Sequence, residues 1–449
     1  MGEYKSMVEA PTGWLGSLPE HWECKKIGSL FSERKTKVSD ADYPPLSVTK
    51  LGIVPQLANA AKSDSGDNRK LVCSGDFVIN SRSDRKGSCG VSELDGSVSL
   101  INIVLTPRNS WDNKYVHYLM RSQSFSEEYY HYGRGIVADL WTTRYSEMKN
   151  ILLPVPPHDE QEQIVRFLDW KVSGINKLIN IKKKEIKKVT ELKKTVVNEA
   201  VTRGLNPNVP MKDSGVEWLG DIPSHWKTYR CKYLFSERDE RSIEGKEQHL
   251  SMSQKYGLVP DTILDERRML SESYAGGKIC YENDLVLNRL KAHLGVFSLA
   301  PQMGVISPDY TVLIPRIERI IPAYAEAVLK SQKCRRELRV RVKGVTEGFW
   351  RLYTDSFNTI VLPVPPVEEQ KSIMDEIKLF EEKTANYISV ILKEVEVLHE
   401  LRNKLISDVV TGQIDVRDIE VPEFEFVDEI EDESDKDTDE ENDNVDEEE

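Results

Sequence analysis

The sequence has few cysteines, no long apolar run and no segment that resembles a signal peptide. A membrane-spanning helix needs about 20 apolar residues, and no run of that kind occurs among the 449 residues. The six cysteines are scattered without a Cys-x-x-Cys pair, which counts against a zinc site and a disulfide framework. Residues 1–11 lack the apolar stretch of a signal peptide. We therefore expect a soluble cytoplasmic protein with neither a bound metal nor disulfides.

Motifs of common catalytic sites are also missing. There is no Gly-x-Gly-x-x-Gly sequence, no Walker loop and no Gly-x-Ser-x-Gly motif. The segments that begin at Asn80 and Asn288 do not form the Asn-Pro-Pro-Tyr motif of methyltransferases. His21 and His225 both precede a tryptophan, but no acid or nucleophile repeats with them at a telling spacing, so we assign them a packing role. The sequence predicts a chain without catalytic residues.

The net charge of −14 comes from one end of the chain. Residues 420–449 contain 18 of the 75 acidic residues and one of the 61 basic residues, which leaves the remainder at +3. So acidic a segment cannot bury enough apolar surface to fold alone, and we predict a disordered tail over residues 417–449. We interpret it as a solubilising tail; the alternative is a regulatory tail that competes for basic surface elsewhere on the molecule.

The chain contains two copies of one unit. Residues 153–157 and 362–366 are the same pentad, Leu-Pro-Val-Pro-Pro, and each precedes a long charged segment. Other pairs keep a nearly constant spacing: 14–16 with 218–220, 30–34 with 234–238, Asp76 with Asp284, Asn80 with Asn288, Glu160 with Glu369, Gln161 with Gln370, Leu192 with Leu401 and Thr202 with Thr411. This repeat favours two core-bearing blocks over one.

Each block has the pattern of an α+β fold. Short β-type runs such as 76–80 and 98–105 are separated by Gly, Asp and Asn, and 115–130 and 323–341 have a helical pattern. The predicted order is a lead-in segment with the first block over 1–157, a spacer helix over 158–203, a linker, lead-in and second block over 204–366, a second spacer helix over 367–416, and the acidic tail.

The two spacer helices carry a coiled-coil pattern. Apolar residues recur at steps of three and four or multiples of seven: Ile164, Leu168, Ile175, Leu178, Ile186, Val189 and Val196, then Ile373, Ile377, Phe380, Tyr387, Ile391, Leu398, Leu401 and Leu405. Each helix spans roughly 60 Å at 1.5 Å per residue. If the second helix returns the chain towards its beginning, the helices are antiparallel and the two halves are related by a pseudo-two-fold axis, as in a rigid caliper.

A caliper with basic loops at its two blocks suits double-stranded DNA, whose grooves recur at a fixed spacing. Arg and Lys contact phosphates, while Asn and Arg can pair with base edges. The candidate DNA-binding residues are Asn80, Arg82, Arg85, Lys86, Arg134, Arg144, Asn288, Arg289, Lys291, His293, Arg339 and Lys343. For each residue, the alternative is an exposed solubilising charge. The lysines over 182–188 are interpreted as a solvated helix face, with a phosphate clamp as the alternative.

The repeated segments resemble the specificity subunit of type I restriction–modification enzymes. The likeness rests on the Pro-Pro-x-x-Glu-Gln sequences at 156–161 and 365–370 and on Trp-Leu-Gly with Pro-x-His-Trp, and it covers residues 13 to about 416. It implies that each block is a target-recognition domain for half of a split, asymmetric DNA site. It also implies that the helices set the spacing and dock two methyltransferase subunits, with restriction/translocase subunits beyond them.

This resemblance assigns no cofactor to the chain itself. S-adenosylmethionine, ATP and Mg²⁺ are expected on partner subunits, and no membrane is expected as a partner. The leading alternative is a coiled-coil scaffold whose blocks bind protein partners, since the modest basic excess permits it. A self-contained methyltransferase is the third possibility, and it lacks its motifs.

Overall fold

The computed structural model describes residues 2–50, 52–56, 66–82, 86–108, 111–135, 141–253, 256–263, 274–344 and 350–430. The chain divides into two compact units. Unit 1 contains Met1–Lys184 and Leu392–Glu449, and unit 2 contains Glu185–Ile391. Each long helix therefore contributes one part to each unit.

Unit 1 holds the first α+β block. Its elements are β1 (Met7–Glu9), β2 (Ser17–Pro19), β3 (Glu23–Lys26), α1 (Ile27–Leu30), β4 (Phe31–Glu33), β5 (Lys37–Val38), β6 (Leu46–Thr49), β7 (Gly52–Pro55), β8 (Arg69–Val72), β9 (Phe77–Asn80), β10 (Cys89–Val91), β11 (Gly96–Val98), β12 (Asn102–Pro107), α2 (Asn113–Arg121), α3 (Gln123–His131), α4 (Tyr145–Met148), β13 (Leu152–Val155) and the long helix α5 (His158–Arg203), which continues into unit 2. A four-stranded antiparallel sheet in the order β10-β9-β12-β4 forms the centre.

Unit 2 repeats this arrangement. Its elements are β14 (Met211–Asp213), β15 (Asp221–Pro223), β16 (Lys227–Arg230), β17 (Phe235–Arg238), β18 (Leu250–Ser253), β19 (Gly257–Pro260), β20 (Lys278–Cys280), β21 (Leu285–Asn288), β22 (Phe297–Leu299), β23 (Gly304–Ile306), β24 (Tyr310–Pro315), α6 (Pro322–Lys330), α7 (Gln332–Arg341), α8 (Thr354–Asn358), β25 (Val361–Val364) and α9 (Val367–Val410), whose last part lies in unit 1. Its central sheet has the matching order β17-β24-β21-β22. The predicted α+β class is confirmed.

The long helices begin where the Pro-Pro pairs predict. The prolines end β13 and β25, and acids follow in the first turn of each helix, Asp159 and Glu160 in α5 and Glu368 and Glu369 in α9, where the helix dipole favours them. The first helix ends at residue 203, where the sequence predicted its end. The second ends at residue 410 rather than 416, because Gly412 takes a left-handed conformation with φ of 74° just beyond it.

Each of the two shorter helical patterns is divided into two helices. Residues 115–130 are helical as predicted, but they belong to α2 and α3, which are separated at Ser122. The pattern over 323–341 likewise divides into α6 and α7 at Ser331. Each serine has extended ψ and its hydroxyl accepts a hydrogen bond from a backbone N–H of the next helix, which is N-capping. In the sequence, the only sign of these breaks was a serine within each helical pattern, since serine is a favoured N-cap residue.

The parts of the long helices within each unit are antiparallel. In unit 1 the Asn176 side chain of α5 accepts from Arg402 of α9 at 2.7 Å, and Lys182 pairs with Glu394 at 2.8 Å. In unit 2, Lys193 pairs with Glu381 at 3.0 Å, and Glu185 accepts from the hydroxyl of Tyr387. Partner numbers fall as the numbers along α5 rise, which fixes the antiparallel direction.

The predicted seam is only partly buried. Ile164, Leu168, Ile373 and Ile391 are buried as expected. The seam members Leu178, Tyr387 and Leu401 are instead exposed by 51%, 48% and 53%. In a straight helix of 3.6 residues per turn, positions seven residues apart are rotated by about 20° from one another around the axis. Over about 40 residues, apolar positions with a strict seven-residue repeat therefore rotate away from the face that contacts the other helix.

Each block also buries the end of the helix that begins in the other. The hydroxyl of Tyr115 in α2 donates to the carbonyl of Val410 at 3.1 Å, within unit 1. In unit 2 the hydroxyl of Tyr324 in α6 donates to the carbonyl of Val201 at 3.0 Å. Both tyrosines are fully buried, so each satisfies one of the unpaired carbonyls at a helix end.

The tail prediction was wrong for residues 417–430. These residues lie against α5 of unit 1, where side chains of the helix hydrogen-bond to their backbone. The acidic composition correctly indicated that the segment cannot fold alone. It could not indicate that polar side chains of α5 bind the backbone of this segment. Residues 431–449 lie outside the described part of the chain.

Candidate nucleic-acid interface

In unit 1 the basic candidates meet at a junction of three chain segments. The N–H of Thr143 donates to the carbonyl of Ser81, directly after β9, at 2.9 Å. Arg134 and Thr142 exchange two backbone hydrogen bonds at 3.2 and 3.1 Å. These contacts place the exposed residues Arg82, Arg134 and Arg144 at one edge of the block.

Unit 2 has the same junction. The N–H of Leu352 donates to the carbonyl of Arg289 at 2.9 Å, directly after β21. Lys343 and Arg351 exchange two backbone hydrogen bonds at 3.0 and 2.9 Å. The Arg134–Thr142 and Lys343–Arg351 pairs are therefore equivalent, and Arg351 joins the site although sequence reasoning did not select it. Its position 209 residues after Thr142 was the signal that could have identified it.

The two strand-end asparagines shape the backbone at these junctions. The side-chain oxygen of Asn80 accepts from the N–H of Arg82 at 3.0 Å. That of Asn288 accepts from the N–H groups of Leu290 and Lys291 at 3.1 and 3.3 Å. Such Asx turns fix a loop. Both oxygens are therefore used locally, and the asparagines orient their basic neighbours.

Other candidates in unit 1 occupy a broader basic edge. Lys86 is exposed, with its ammonium 5.3 Å from the ring centre of Tyr130. Arg144 lines an open groove of about 670 Å³ together with Lys35, Lys70 and Lys149. Burial lowers the pKa of Lys70, whose ammonium donates to the carbonyl of Asn102 at 2.7 Å. Lys35 and Lys149 are exposed additions that sequence reasoning missed, and Arg85 lies outside the described residues.

The unit 2 candidates differ in their contacts with neighbouring residues and in their exposure to solvent. The guanidinium of Arg289 is held by Asp309, through its backbone carbonyl at 2.5 Å and its carboxylate at 3.3 Å. Lys291 and Lys343 are exposed beside the junction, and Arg339 is exposed near the end of α7. The side chain of His293 lies outside the described residues, and its backbone belongs to a short 3-10 helix over Ala292–Leu294.

Ion pairs with a buried aspartate repeat at the end of the central strand that lies opposite each junction. Arg34 binds the Asp76 carboxylate at 2.7 and 3.0 Å, and Arg238 binds Asp284 at 2.8 and 3.3 Å. Hydrogen bonding to the aspartate raises the pKa of each arginine. The aspartate precedes the central strand in both units, so the pair fixes β9 to β4 and β21 to β17.

A second repeated contact corrects our interpretation of the histidines. His21 lies 2.8 Å from the Glu160 carboxylate, and His225 lies 2.8 Å from that of Glu369. A repeated acid therefore does accompany them, at the start of each long helix. The sequence distance of 139 and 144 residues concealed it. The pairs join the lead-in segment to the helix through a hydrogen bond, whereas the sequence predicted a packing role for the histidines.

The described residues offer no cluster of His, Cys, Asp or Glu that could hold a metal ion. All six cysteines lie in that part of the chain and are free thiols. No helix within the described ranges is long and apolar enough to span a membrane.

The chain is similar to known proteins along most of its length. No protein-family model matches it. Two proteins of Methanocaldococcus jannaschii, named as the MjaX and MjaVIII specificity subunits of type I restriction enzymes, are each 21% identical to it. The alignments cover 90% of this chain in both cases and 96% and 95% of the relatives. The chain is a relative of type I specificity subunits.

A solved structure supports the fold of this specificity-subunit relative. It comes from work on complex assembly and conformational transition of a type I restriction–modification system. The TM-score is 0.60 at 16% identity, with 88% of this chain and 99% of the other covered. The resemblance predicted from the repeated segments is confirmed, as is the class of two repeated α+β blocks with long helices. Which loop residues contact DNA stays a prediction.

Proposed function

We propose that this chain is the DNA-recognition subunit of a type I restriction–modification complex. Each block reads one half of a split, asymmetric site, and the long helices set the spacing between the halves. The observation that carries the proposal is the repeated junction, where the same backbone hydrogen bonds present different side chains in the two units. A fixed scaffold with variable loops is how binding specificity is usually changed.

The partners follow from this role. The chain contributes recognition and assembly, and it docks two methyltransferase subunits, which in turn associate with restriction and translocation subunits. S-adenosylmethionine, ATP and Mg²⁺ are expected on those partners, where methylation and cleavage take place. Double-stranded DNA is the ligand of this chain.

Salt dependence of DNA affinity tests the proposal. Removing one phosphate contact lowers the slope of log K against log salt concentration by about 0.9. We expect a steep slope for the wild-type chain, reduced by about two in the double variant Arg134→Ala, Arg144→Ala, because two cations that face phosphates are then absent.

Lys404→Ala is the control, because that lysine is also exposed but lies on α9, where it pairs with Asp408 at 3.0 Å. It should leave the slope unchanged. A flat slope for the wild-type chain would contradict DNA recognition and favour a scaffold that binds protein partners.

A further inference from the structure

The segment from Val421 to Ile430, here called the C-terminal strap, lies along one face of α5 in unit 1. Its backbone is bound by side chains of the helix. The hydroxyl of Ser173 donates to the carbonyl of Glu425 at 3.0 Å and accepts from the N–H of Val427 at 2.9 Å. The amide of Asn176 donates to the carbonyl of Val427 at 3.1 Å.

Asn180 completes this ladder. Its amide nitrogen donates to the carbonyl of Asp428 at 2.8 Å, and its oxygen accepts from the N–H of Ile430 at 2.8 Å. Ser173, Asn176 and Asn180 follow at steps of three and four, so they lie on one face of the helix. All three are buried, with 4%, 4% and 6% exposure. Polar groups buried to this extent need partners, and the strap backbone supplies them.

One strap side chain is also recognised. The carboxylate of Glu429 binds Lys183 of α5 at 2.9 Å and Arg402 of α9 at 2.6 Å. His399 of α9 lies 3.4 Å from the same carboxylate. Burial acts to raise the pKa of Glu429, but its hydrogen bonds from Lys183 and Arg402 prevail, and the pKa is lowered. Glu429 therefore connects the two helix segments of unit 1.

Unit 2 shows that this site is specific to unit 1. The positions on α9 equivalent to the ladder, 209 residues later, are Glu382, Ala385 and Ser389, and all three are exposed. The residue equivalent to Arg402 is Lys193, which pairs directly with Glu381 of α9 at 3.0 Å. The counterpart of Glu381 in unit 1 is Val172. In unit 1, α5 therefore has no acid at the position equivalent to Glu381. Glu429 of the strap supplies the acid that pairs with Arg402.

We propose that Ser173, Asn176, Asn180, Lys183 and Arg402 form a binding site for an extended peptide that carries a carboxylate, and that its resident ligand is the C-terminal strap. Side-chain bonds to backbone groups select the extended conformation, whereas Lys183 and Arg402 select an acid at one position. Occupancy of the site fastens α5 to α9 within unit 1. This inference does not depend on DNA recognition.

Amide hydrogen exchange of the full-length chain gives the first test. Amides of residues 424–430 should exchange at least tenfold more slowly than those of an unstructured peptide. Asn180→Ala and Glu429→Gln should each accelerate that segment at least tenfold. Ser389→Ala, at the position of α9 equivalent to Asn180, should have no effect. Unprotected exchange in the wild-type chain, or unchanged exchange in both strap variants, would overturn the proposal.

A free peptide gives the second test. In the full-length variant Glu429→Lys, the introduced ammonium group repels Lys183 and Arg402. The strap should therefore leave the site. A fluorescent peptide with the sequence of residues 421–430 should then bind this variant at least tenfold more tightly than wild type. The same peptide with Gln in place of Glu429 should bind at least tenfold more weakly. Equal binding to variant and wild type, with the strap of the variant shown to exchange freely, would contradict a built peptide site.

Discussion

Units 1 and 2 share a skeleton of polar side-chain contacts and differ in what surrounds it. The Arg–Asp pair at the start of the central strand, the His–Glu pair at the helix start and the tyrosine at the helix end recur in both. The side chains that the two junctions present differ, and the strap is found in unit 1 alone among the described residues. Buried polar groups must keep their partners, whereas exposed loops can change freely. The comparison therefore separates what holds the fold from what sets its specificity.

One repeated contact is made by different residues in the two units. Glu369 accepts from the indole N–H of Trp226 at 3.0 Å. The equivalent oxygen of Glu160 accepts from the hydroxyl of Tyr4 at 2.5 Å, and the indole nitrogen of Trp22 is buried with no hydrogen-bond partner among the described residues. A residue near the beginning of the chain thus replaces the tryptophan donor. The acid at the helix start keeps two partners in either case.

Replacing the buried aspartates should have the largest effect on the free energy of unfolding, and the effect should be similar in the two units. Asp76→Ala leaves Arg34, the N–H of Cys73 and the hydroxyl of Thr106 without their acceptor. We expect a loss of about 3 kcal/mol in the free energy of unfolding, since a broken buried pair is costly. Asp284→Ala should cost about the same in unit 2. Urea unfolding followed by hydrogen exchange of each unit measures both, and a cost below about 1 kcal/mol would contradict the shared skeleton.

The buried glutamines at the helix starts should weaken both units by a similar, smaller amount. Gln370 donates to the carbonyls of Pro365 and Arg319 and accepts from the N–H of Ile321, at 2.8 to 2.9 Å. Among the described residues, Gln161 likewise donates to the carbonyl of Pro156 and accepts from the N–H of Asp112. At about 1 kcal/mol per bond, Gln370→Ala and Gln161→Ala should each cost about 2 kcal/mol in the free energy of unfolding. A loss below about 1 kcal/mol for either variant in urea unfolding would argue against a shared role for the two glutamines.

Acid should weaken unit 1 through a residue that unit 2 lacks. Burial, with help from the nearby cations Arg121 and Lys114, lowers the pKa of His117 to about 3. The unfolded chain therefore binds a proton below pH of about 6.5 that the folded chain does not, and stability falls as the pH decreases towards 3. The slope approaches about 1.4 kcal/mol per pH unit at most.

The variant His117→Gln isolates this effect. Its free energy of unfolding should lose less than that of wild type between pH 6.5 and 5, as measured by urea titration at each pH. The same acid sensitivity in the variant would show that other groups are responsible.

The smallest effect is expected at the matching position of unit 2. There, 209 residues after His117, Glu326 pairs on the surface with Lys330 at 2.6 Å. Exposed i,i+4 pairs contribute about 0.5 kcal/mol or less. Lys330→Ala should change the free energy of unfolding by no more than that, and a loss above about 1 kcal/mol would mean that the pair is less exposed than it is in the structure.

The sequence could predict those features that its repeat contains. Two copies of Leu-Pro-Val-Pro-Pro predicted both long helices, and the residues around Asn80 and Asn288 predicted where the two junctions lie. Contacts between distant positions were beyond it, because the His21–Glu160 pair depends on tertiary structure rather than on spacing. The strap was hidden for a related reason, since only one copy of the unit has the Ser173, Asn176 and Asn180 face that receives it.

Adenine methylation mapping shows whether the two blocks read the two halves of one split DNA site. DNA from cells that express this chain with its methyltransferase partner is compared with DNA from cells that lack the chain, and a third strain carries the chain with residues 35–152 exchanged for another block. We expect a new split motif in the cells that express the chain, and the exchange of residues 35–152 should alter one half of that motif only. A continuous motif, a change in both halves, or no new methylation although the subunits form a soluble complex would contradict this prediction.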